Sequence, residues 1–163
     1  MKKMVIFDRD GTIIIDHGYT HKVTDLEWMN GAIELLRVLN QMGIYVVVAT
    51  NQSGIGRGYY SQEDVRLFHL QMSIEVKANG GKIDTFYVCP HSPDLNGFPT
   101  CRCRKPNPGM LLSAMHDFNV APEECIFVGN SESDLEAAKK SGIEFVLVDR
   151  EIDAKEILEL CKC

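Results

Sequence analysis

One segment restricts the possible folds of this chain more than any other: residues 44–50 read IYVVVAT. β-Branched residues dominate this short apolar run, which favours a strand over a helix. A β-branched run without alternating polar residues is typical of a strand in a sheet whose two faces are both covered, as in parallel sheets. The segment therefore indicates an α/β fold.

The rest of the chain alternates strand-like and helix-like segments, as that fold requires. Strands are predicted at residues 4–7, 44–50, 83–89, 125–128 and 143–148, and helices at 31–42, 61–79, 108–118, from Ser131 or Ser133 to Gly142, and at 154–160. This order predicts a three-layer α/β/α sandwich with a mostly parallel, Rossmann-like sheet. No large insertion interrupts it, so we expect no large cap domain and a single domain over residues 1–163.

Composition and charge exclude several classes of protein. Hydrophobic residues make up 45% of the chain and charged residues 25%, which argues against disorder. The formal net charge of -6 argues against nucleic-acid or anionic-membrane partners, and an anionic substrate would need a local basic pocket. The first apolar run is too short for a signal peptide, so we expect a cytoplasmic protein. Nothing in the sequence requires a dimer, and we expect a monomer.

Two carboxylates follow the first predicted strand, in the segment DRDGT at residues 8–12. Asp8 and Asp10 are two positions apart, so both side chains can face one cavity at the strand end. One carboxylate could attack phosphorus while the other moves a proton, and two close anions imply a divalent cation. The alternative is a solvated turn, because Asp and Gly are common turn residues.

Three further segments follow in an order that resembles one superfamily. Thr50 ends the second predicted strand, Lys105 follows the third, and residues 129–134 read GNSESD after the fourth. Together with DRDGT, these segments resemble the four signatures of the haloacid dehalogenase-like phosphatases. The resemblance covers residues 4–150.

The resemblance implies a role for each matching residue. Asp8 would be the nucleophile that forms an aspartyl-phosphate, and Asp10 would protonate the leaving oxygen and then activate water. Thr50 and Lys105 would hold the phosphoryl group. Mg²⁺ would be held by the Asp8 carboxylate, the Asp10 carbonyl and a residue of the fourth segment.

The fourth segment departs from the pattern of the superfamily, which usually has Asp where this chain has Asn130. An amide oxygen can bind Mg²⁺, but one negative charge is missing, and Asp134 one turn later could supply charge directly or from the outer shell. Three interpretations remain open: a native ligand in a working enzyme, an engineered change that traps a complex, or lost activity.

The segment between the third strand and Lys105 carries a second set of candidate metal ligands. Cys89, His91, Cys101 and Cys103 offer three thiols and one imidazole, a set that suits tetrahedral Zn²⁺ in a structural zinc-binding loop. The alternative is a loop with free thiols. Folding the loop around zinc would aim Arg102 and Arg104 at the active site and create the basic pocket. The alternative for Arg102 is a solvated surface charge.

A narrower resemblance rests on DRDGTI, residues 50–59 (TNQSGIGRGY), CPH and residues 101–110 (CRCRKPNPGM). These resemble D-glycero-D-manno-heptose 1,7-bisphosphate 7-phosphatases, which implies a sugar phosphate substrate and heptose precursor biosynthesis. Candidate substrate-binding residues are Asn51, Gln52, Ser53, Arg57, Arg102 and Arg104. For residues 51–53 the alternative is turn formation. The alternative functions are a histidinol-phosphate phosphatase and a catalytically weak, zinc-stabilised binding module.

Overall fold

Five parallel strands form the central sheet of the computed structural model, which describes residues 1–162. They are β1 (Met4–Phe7), β2 (Tyr45–Asn51), β3 (Thr85–Cys89), β4 (Cys125–Gly129) and β5 (Glu144–Leu147). The sheet order is β3-β2-β1-β4-β5, and every neighbouring pair is parallel. The predicted α/β class is therefore confirmed.

Helices cover both faces of this sheet. They are α1 (Ala32–Gln41), α2 (Ser53–Gly56), α3 (Gln62–Ala78), α4 (Gly109–Phe118), α5 (Glu132–Ser141) and α6 (Ala154–Lys162). All but α2 were expected, with ends that differ by one or two residues; Pro108, for example, precedes α4 instead of starting it. Within residues 1–162 no helix combines the length and the apolar character that crossing a bilayer requires.

Strand β1 lies at the centre of the sheet and is fully buried. Val5 and Phe7 pack into the core beneath α1, α3 and α6, whereas Met4 and Ile6 pack into the core beneath α4 and α5. This division follows from the two-residue period of a strand. Two apolar faces explain why the strand segments read as continuous hydrophobic runs.

The sheet order brings the carboxyl ends of β2, β1 and β4 side by side. Phe7 pairs with Val48 on one side and with Val128 on the other. The chain leaves β1 through Asp8, whose amide donates to the Val128 carbonyl at 2.8 Å, and then turns at Gly11, where φ is +74°. Residues that follow these three strands therefore meet at one edge of the sheet.

Helix α3 begins with a complete capping box. The Ser61 hydroxyl accepts from the Asp64 amide at 3.1 Å, and the Asp64 carboxylate accepts from the Ser61 amide at 2.7 Å. Both bonds satisfy groups that have no partner within the helix. The Ser-x-x-Asp spacing predicts this start, which the structure confirms.

We expect Ser61→Ala to lower the free energy of unfolding by about 1 kcal/mol, because it removes the capping hydroxyl. The change is measured by urea denaturation. Ser61 is exposed and lies outside the polar networks at the strand ends, so kcat should not change. Unchanged stability would contradict the importance of this cap.

Candidate active site

A buried ammonium group lies between two carboxylates, one directly after β1 and the other on the first turn of α5. Lys105 Nζ is 2.7 Å from Asp8 Oδ1 and 2.7 Å from Asp134 Oδ1. It also donates to the Ala49 carbonyl of β2 at 2.8 Å. A buried charge is tolerated only when it is paired and hydrogen-bonded, and these contacts provide both.

The pairing sets the protonation of the groups. Burial raises the pKa of Asp8 to about 6, the Lys105 ammonium opposes this shift, and the charge of Asp134 adds to it. Burial alone would lower the pKa of Lys105, but the carboxylates of Asp8 and Asp134 outweigh it and raise that pKa. Near neutral pH Lys105 is therefore cationic and Asp8 is mainly an anion, which is the state that the nucleophilic role expected from the sequence requires.

Asp134 is held by the first turn of α5. Its Oδ2 accepts from the Ser131 hydroxyl at 2.7 Å and from the amides of Asn130 and Ser131 at 3.2 Å. Its Oδ1 meets Lys105 as an ion pair, and Gly129 leaves the room for it: a Cβ on Gly129 would lie 2.7 Å from Asp134 Oδ2. Both oxygens thus already contact protein groups. Asp134 acts on the site by stabilising the Lys105 ammonium, with which it forms an ion pair.

Asp10 belongs to a separate polar network. Its carboxylate accepts two hydrogen bonds from Arg9, from Nε and NH2, each at 3.0 Å. Gln52 Nε2 donates to Asp10 Oδ2 at 3.0 Å and to Thr50 Oγ1 at 2.8 Å, and Tyr60 donates its hydroxyl proton to Gln52 Oε1 at 2.7 Å. Gln52 therefore joins Asp10 to Thr50, and the predicted catalytic residues lie at one edge of the sheet.

Two further buried residues, Arg9 and His69, belong to this network and are not predicted by the sequence. Arg9 is fully buried and its NH1 contacts His69 Nε2 at 3.1 Å. His69 lies on α3, sixty positions from Arg9, and no local pattern connects the two. The only available signal was the burial of β1: an arginine directly behind it is expected to need a buried partner.

The candidate substrate-binding residues divide into two groups. Asn51 and Gln52 bind within the protein: Asn51 exchanges two hydrogen bonds of 3.1 Å with the backbone of Lys105. Ser53 opens α2 and is half-buried. Arg57 and Arg102 are exposed, and Arg104 is half-buried and donates to the His91 carbonyl at 3.3 Å. The exposed guanidinium groups remain available to an anionic ligand.

Oxygen donors that suit Mg²⁺ follow β1 and β4 at the same edge of the sheet. Asn130 lies against the turn after Asp10, because a Cβ on Gly11 would lie 2.2 Å from its amide nitrogen. A carboxylate, a backbone carbonyl and an amide oxygen are ligands that Mg²⁺ accepts. The donors present therefore fit the ion that the resemblance implies.

The four predicted zinc ligands form one cluster. The ligand atoms of Cys89, His91, Cys101 and Cys103 all lie within 4.8 Å of one another. Burial opposes ionisation of Cys101, but hydrogen bonds from the Cys103 thiol, the Arg104 amide and the Cys89 thiol outweigh it and lower its pKa to about 7. Three sulfurs and one imidazole nitrogen at this separation can hold a tetrahedral metal ion.

The cluster also fixes the start of the segment that carries Lys105. The Arg104 amide donates to Cys101 Sγ at 3.3 Å, one residue before Lys105. Helix α2 packs against the loop at Gly56, where a Cβ would lie 2.8 Å from the Ser92 amide nitrogen. Of the other cysteines, Cys125 and Cys161 are buried, and Cys163 lies outside the described residues.

Comparison with known proteins identifies similar chains. The HAD-hydrolase-like family model matches residues 102–161. The D-glycero-beta-D-manno-heptose-1,7-bisphosphate 7-phosphatase of Pasteurella multocida is 40% identical over 146 residues, which cover 88% of this chain and 79% of that protein. The D-glycero-alpha-D-manno-heptose-1,7-bisphosphate 7-phosphatase of Burkholderia mallei is 37% identical over 161 residues, which cover 96% of this chain and 85% of that protein.

A solved structure has the same fold and a related sequence. It is the D,D-heptose 1,7-bisphosphate phosphatase of B. bronchiseptica in complex with magnesium and phosphate. It superposes on this chain with a TM-score of 0.84 and is 32% identical, and the match covers 96% of this chain and 86% of that one.

We expect the protein purified without chelator to contain about one zinc ion per chain, as measured by plasma emission spectrometry. Cys103→Ser should lose most of this zinc, because it removes one ligand of the cluster. Cys125→Ala is the control, since Cys125 is buried away from the cluster and its loss should leave the zinc content unchanged. A folded protein with no zinc would refute the assignment.

Proposed function

The chain belongs to the family of D-glycero-D-manno-heptose-1,7-bisphosphate 7-phosphatases, and on that premise we propose that it removes the 7-phosphate of this bisphosphate with Mg²⁺. The observation that carries the proposal is the buried Lys105 ammonium between Asp8 and Asp134. It places positive charge beside a carboxylate nucleophile, where phosphoryl transfer gathers negative charge.

The proposed reaction has two steps. Asp8 attacks phosphorus through its carboxylate, the bond from phosphorus to the sugar oxygen breaks, and Asp10 donates a proton to that oxygen. Asp10 then takes a proton from water, which attacks the aspartyl-phosphate and releases phosphate. The Thr50 hydroxyl and the Lys105 ammonium hold the phosphoryl oxygens in both steps.

Mg²⁺ would be held by the Asp8 carboxylate, the Asp10 carbonyl and Asn130, with Asp134 adding charge nearby. When bound, it neutralises charge on the phosphoryl group and on Asp8. Zn²⁺ in the cluster of Cys89, His91, Cys101 and Cys103 has a structural role, because four protein ligands leave no open position.

The second, non-reacting phosphate would be bound by arginines. Arg57 and Arg102 are exposed and Arg104 is half-buried, so their guanidinium groups can form bidentate contacts with it. Among residues 51–53, Ser53 is the best placed to contact a sugar hydroxyl, because the Asn51 and Gln52 amides already bind within the protein. The product would serve heptose precursor biosynthesis in the cytoplasm.

The decisive experiment measures phosphate release with Mg²⁺ from three substrates: the α and β anomers of heptose 1,7-bisphosphate, and histidinol phosphate. We expect turnover of at least one heptose anomer and its loss, by about a thousandfold or more, in Asp8→Asn. Ser61→Ala serves as a control with the catalytic groups intact. The location of the phosphoryl group is tested by mass spectrometry of acid-quenched protein, which should find it on Asp8.

Each other outcome favours a stated alternative. Faster turnover of histidinol phosphate would make the chain a histidinol-phosphate phosphatase. A folded protein that hydrolyses none of the three would favour the binding module. Turnover that survives in Asp8→Asn would refute the nucleophile.

We also expect Asn130→Asp to bind Mg²⁺ about tenfold more tightly than the natural chain, because it restores one negative charge at the site. The quantity measured is the Mg²⁺ concentration at half-maximal phosphate release. Glu132→Gln, which alters an acidic residue of the same helix start, is the control for a general charge effect. Equal half-saturation in the natural chain and Asn130→Asp would show that residue 130 does not bind the ion.

A further inference from the structure

The Arg9 side chain is buried beneath the loop that carries Asp10 and makes contacts in four directions. Nε and NH2 hold the two oxygens of Asp10, NH2 also donates to the Thr20 carbonyl at 2.5 Å, and NH1 meets His69 Nε2. The guanidinium carbon lies 4.7 Å from the centre of the Phe68 ring. Arg9 is thus held by His69, the Thr20 carbonyl and the Phe68 ring in addition to Asp10.

The contact between Arg9 and His69 determines the state of the imidazole. An arginine guanidinium has hydrogen-bond donors and no acceptor, so His69 Nε2 must accept. The ring is therefore neutral and carries its proton on Nδ1. Burial, and to a lesser degree the Arg9 charge, lowers the pKa of His69 to about 3, in agreement with this state.

The His69 ring is itself rigidly held. It stacks on Phe86 of β3 with centroids 4.1 Å apart and planes inclined by 9°. Because the ring is 6% exposed and packed between α3 and the sheet, its Nε2 is a fixed acceptor for Arg9. A fixed acceptor at NH1 restrains the rotation of the whole planar guanidinium group.

We propose that His69 is a positioning residue that fixes Arg9, and through Arg9 orients the Asp10 carboxylate for proton transfer; this inference rests on the proposed phosphatase function. Proton transfer requires the carboxylate oxygen to lie within about 2.6–3.2 Å of the leaving oxygen. Without the Nε2 acceptor, one N–H of a buried guanidinium loses its partner. Arg9 then rotates towards another acceptor, and because its guanidinium group holds both oxygens of Asp10, the Asp10 carboxylate is displaced as well.

The leaving group distinguishes this role from a merely structural one. A misplaced Asp10 slows the departure of oxygens that need a proton, and it spares those that leave as stable anions. The experiment measures kcat/KM for a series of substituted phenyl phosphates, from p-nitrophenyl phosphate to phenyl phosphate. His69→Phe keeps the stacked ring and removes the acceptor. In this variant kcat/KM for phenyl phosphate should fall about tenfold more than kcat/KM for p-nitrophenyl phosphate.

Two variants serve as controls. His69→Gln offers an amide oxygen to Arg9 and should restore the dependence on leaving group seen in the natural chain. Val76→Ala creates a cavity in the same core, two turns along α3 from His69. It should lower kcat/KM for all substrates equally or not at all. An equal loss across the series in His69→Phe would overturn the proposal.

A second measurement uses the cavity beside His69. Its volume is about 530 Å³, and His69, Phe86, Val65 and Ile83 are among its lining residues. Free imidazole added to His69→Ala can enter from this side and should restore kcat/KM for phenyl phosphate. The same imidazole should leave the natural chain and Val76→Ala unchanged, and failure to rescue a folded His69→Ala would count against the proposal.

The outcomes separate this inference from the proposed function. If the natural chain hydrolyses aryl phosphates but no heptose bisphosphate, the substrate is wrong and the leaving-group comparison still decides the role of His69. If the natural chain hydrolyses neither class of substrate, the role of His69 is tested by the exchange rate of the Arg9 Nε proton with solvent, which NMR measures. That exchange should be slow in the natural chain and in His69→Gln and fast in His69→Phe; equal exchange in all three would refute the proposal.

Discussion

The shared ammonium group of Lys105 is the constraint on which the rest of the site depends. A lysine buried at the centre of a fold is stable as a cation only if opposite charges and acceptors surround it. Asp8 after β1, the Ala49 carbonyl of β2 and Asp134 on α5 provide them. One charge thus ties three separate stretches of chain to the segment that follows the Cys/His cluster.

Two carboxylates only two positions apart occupy different environments, and this difference supports their different proposed roles. Asp8 is buried against Lys105, whereas Asp10 is partly exposed and paired with Arg9 and Gln52. Acid–base chemistry commonly relies on such a division, in which neighbouring groups have separate partners. The hydrogen bond from Gln52 to Thr50 makes Thr50 a member of the Asp10 network.

The sequence predicted the fold well because the strands are apolar on both faces and the helices begin and end at recognisable residues. It also predicted that the four cysteine and histidine ligands converge, since they lie within one short segment. It could not predict the contact of Arg9 with His69 or of Tyr60 with Gln52, because each depends on how α2 and α3 pack on the sheet. Helix α2 was missed because its two glycines resemble a turn.

The turn from β4 to α5 contains no spare volume. Gly129 is the last residue of β4, and the space where its side chain would project is filled by the Asp134 carboxyl group. Any heavier residue there would have to push this carboxyl group away from its ammonium partner. Substitution at this position, where the residue has no side chain, is thereby limited by electrostatics as much as by shape.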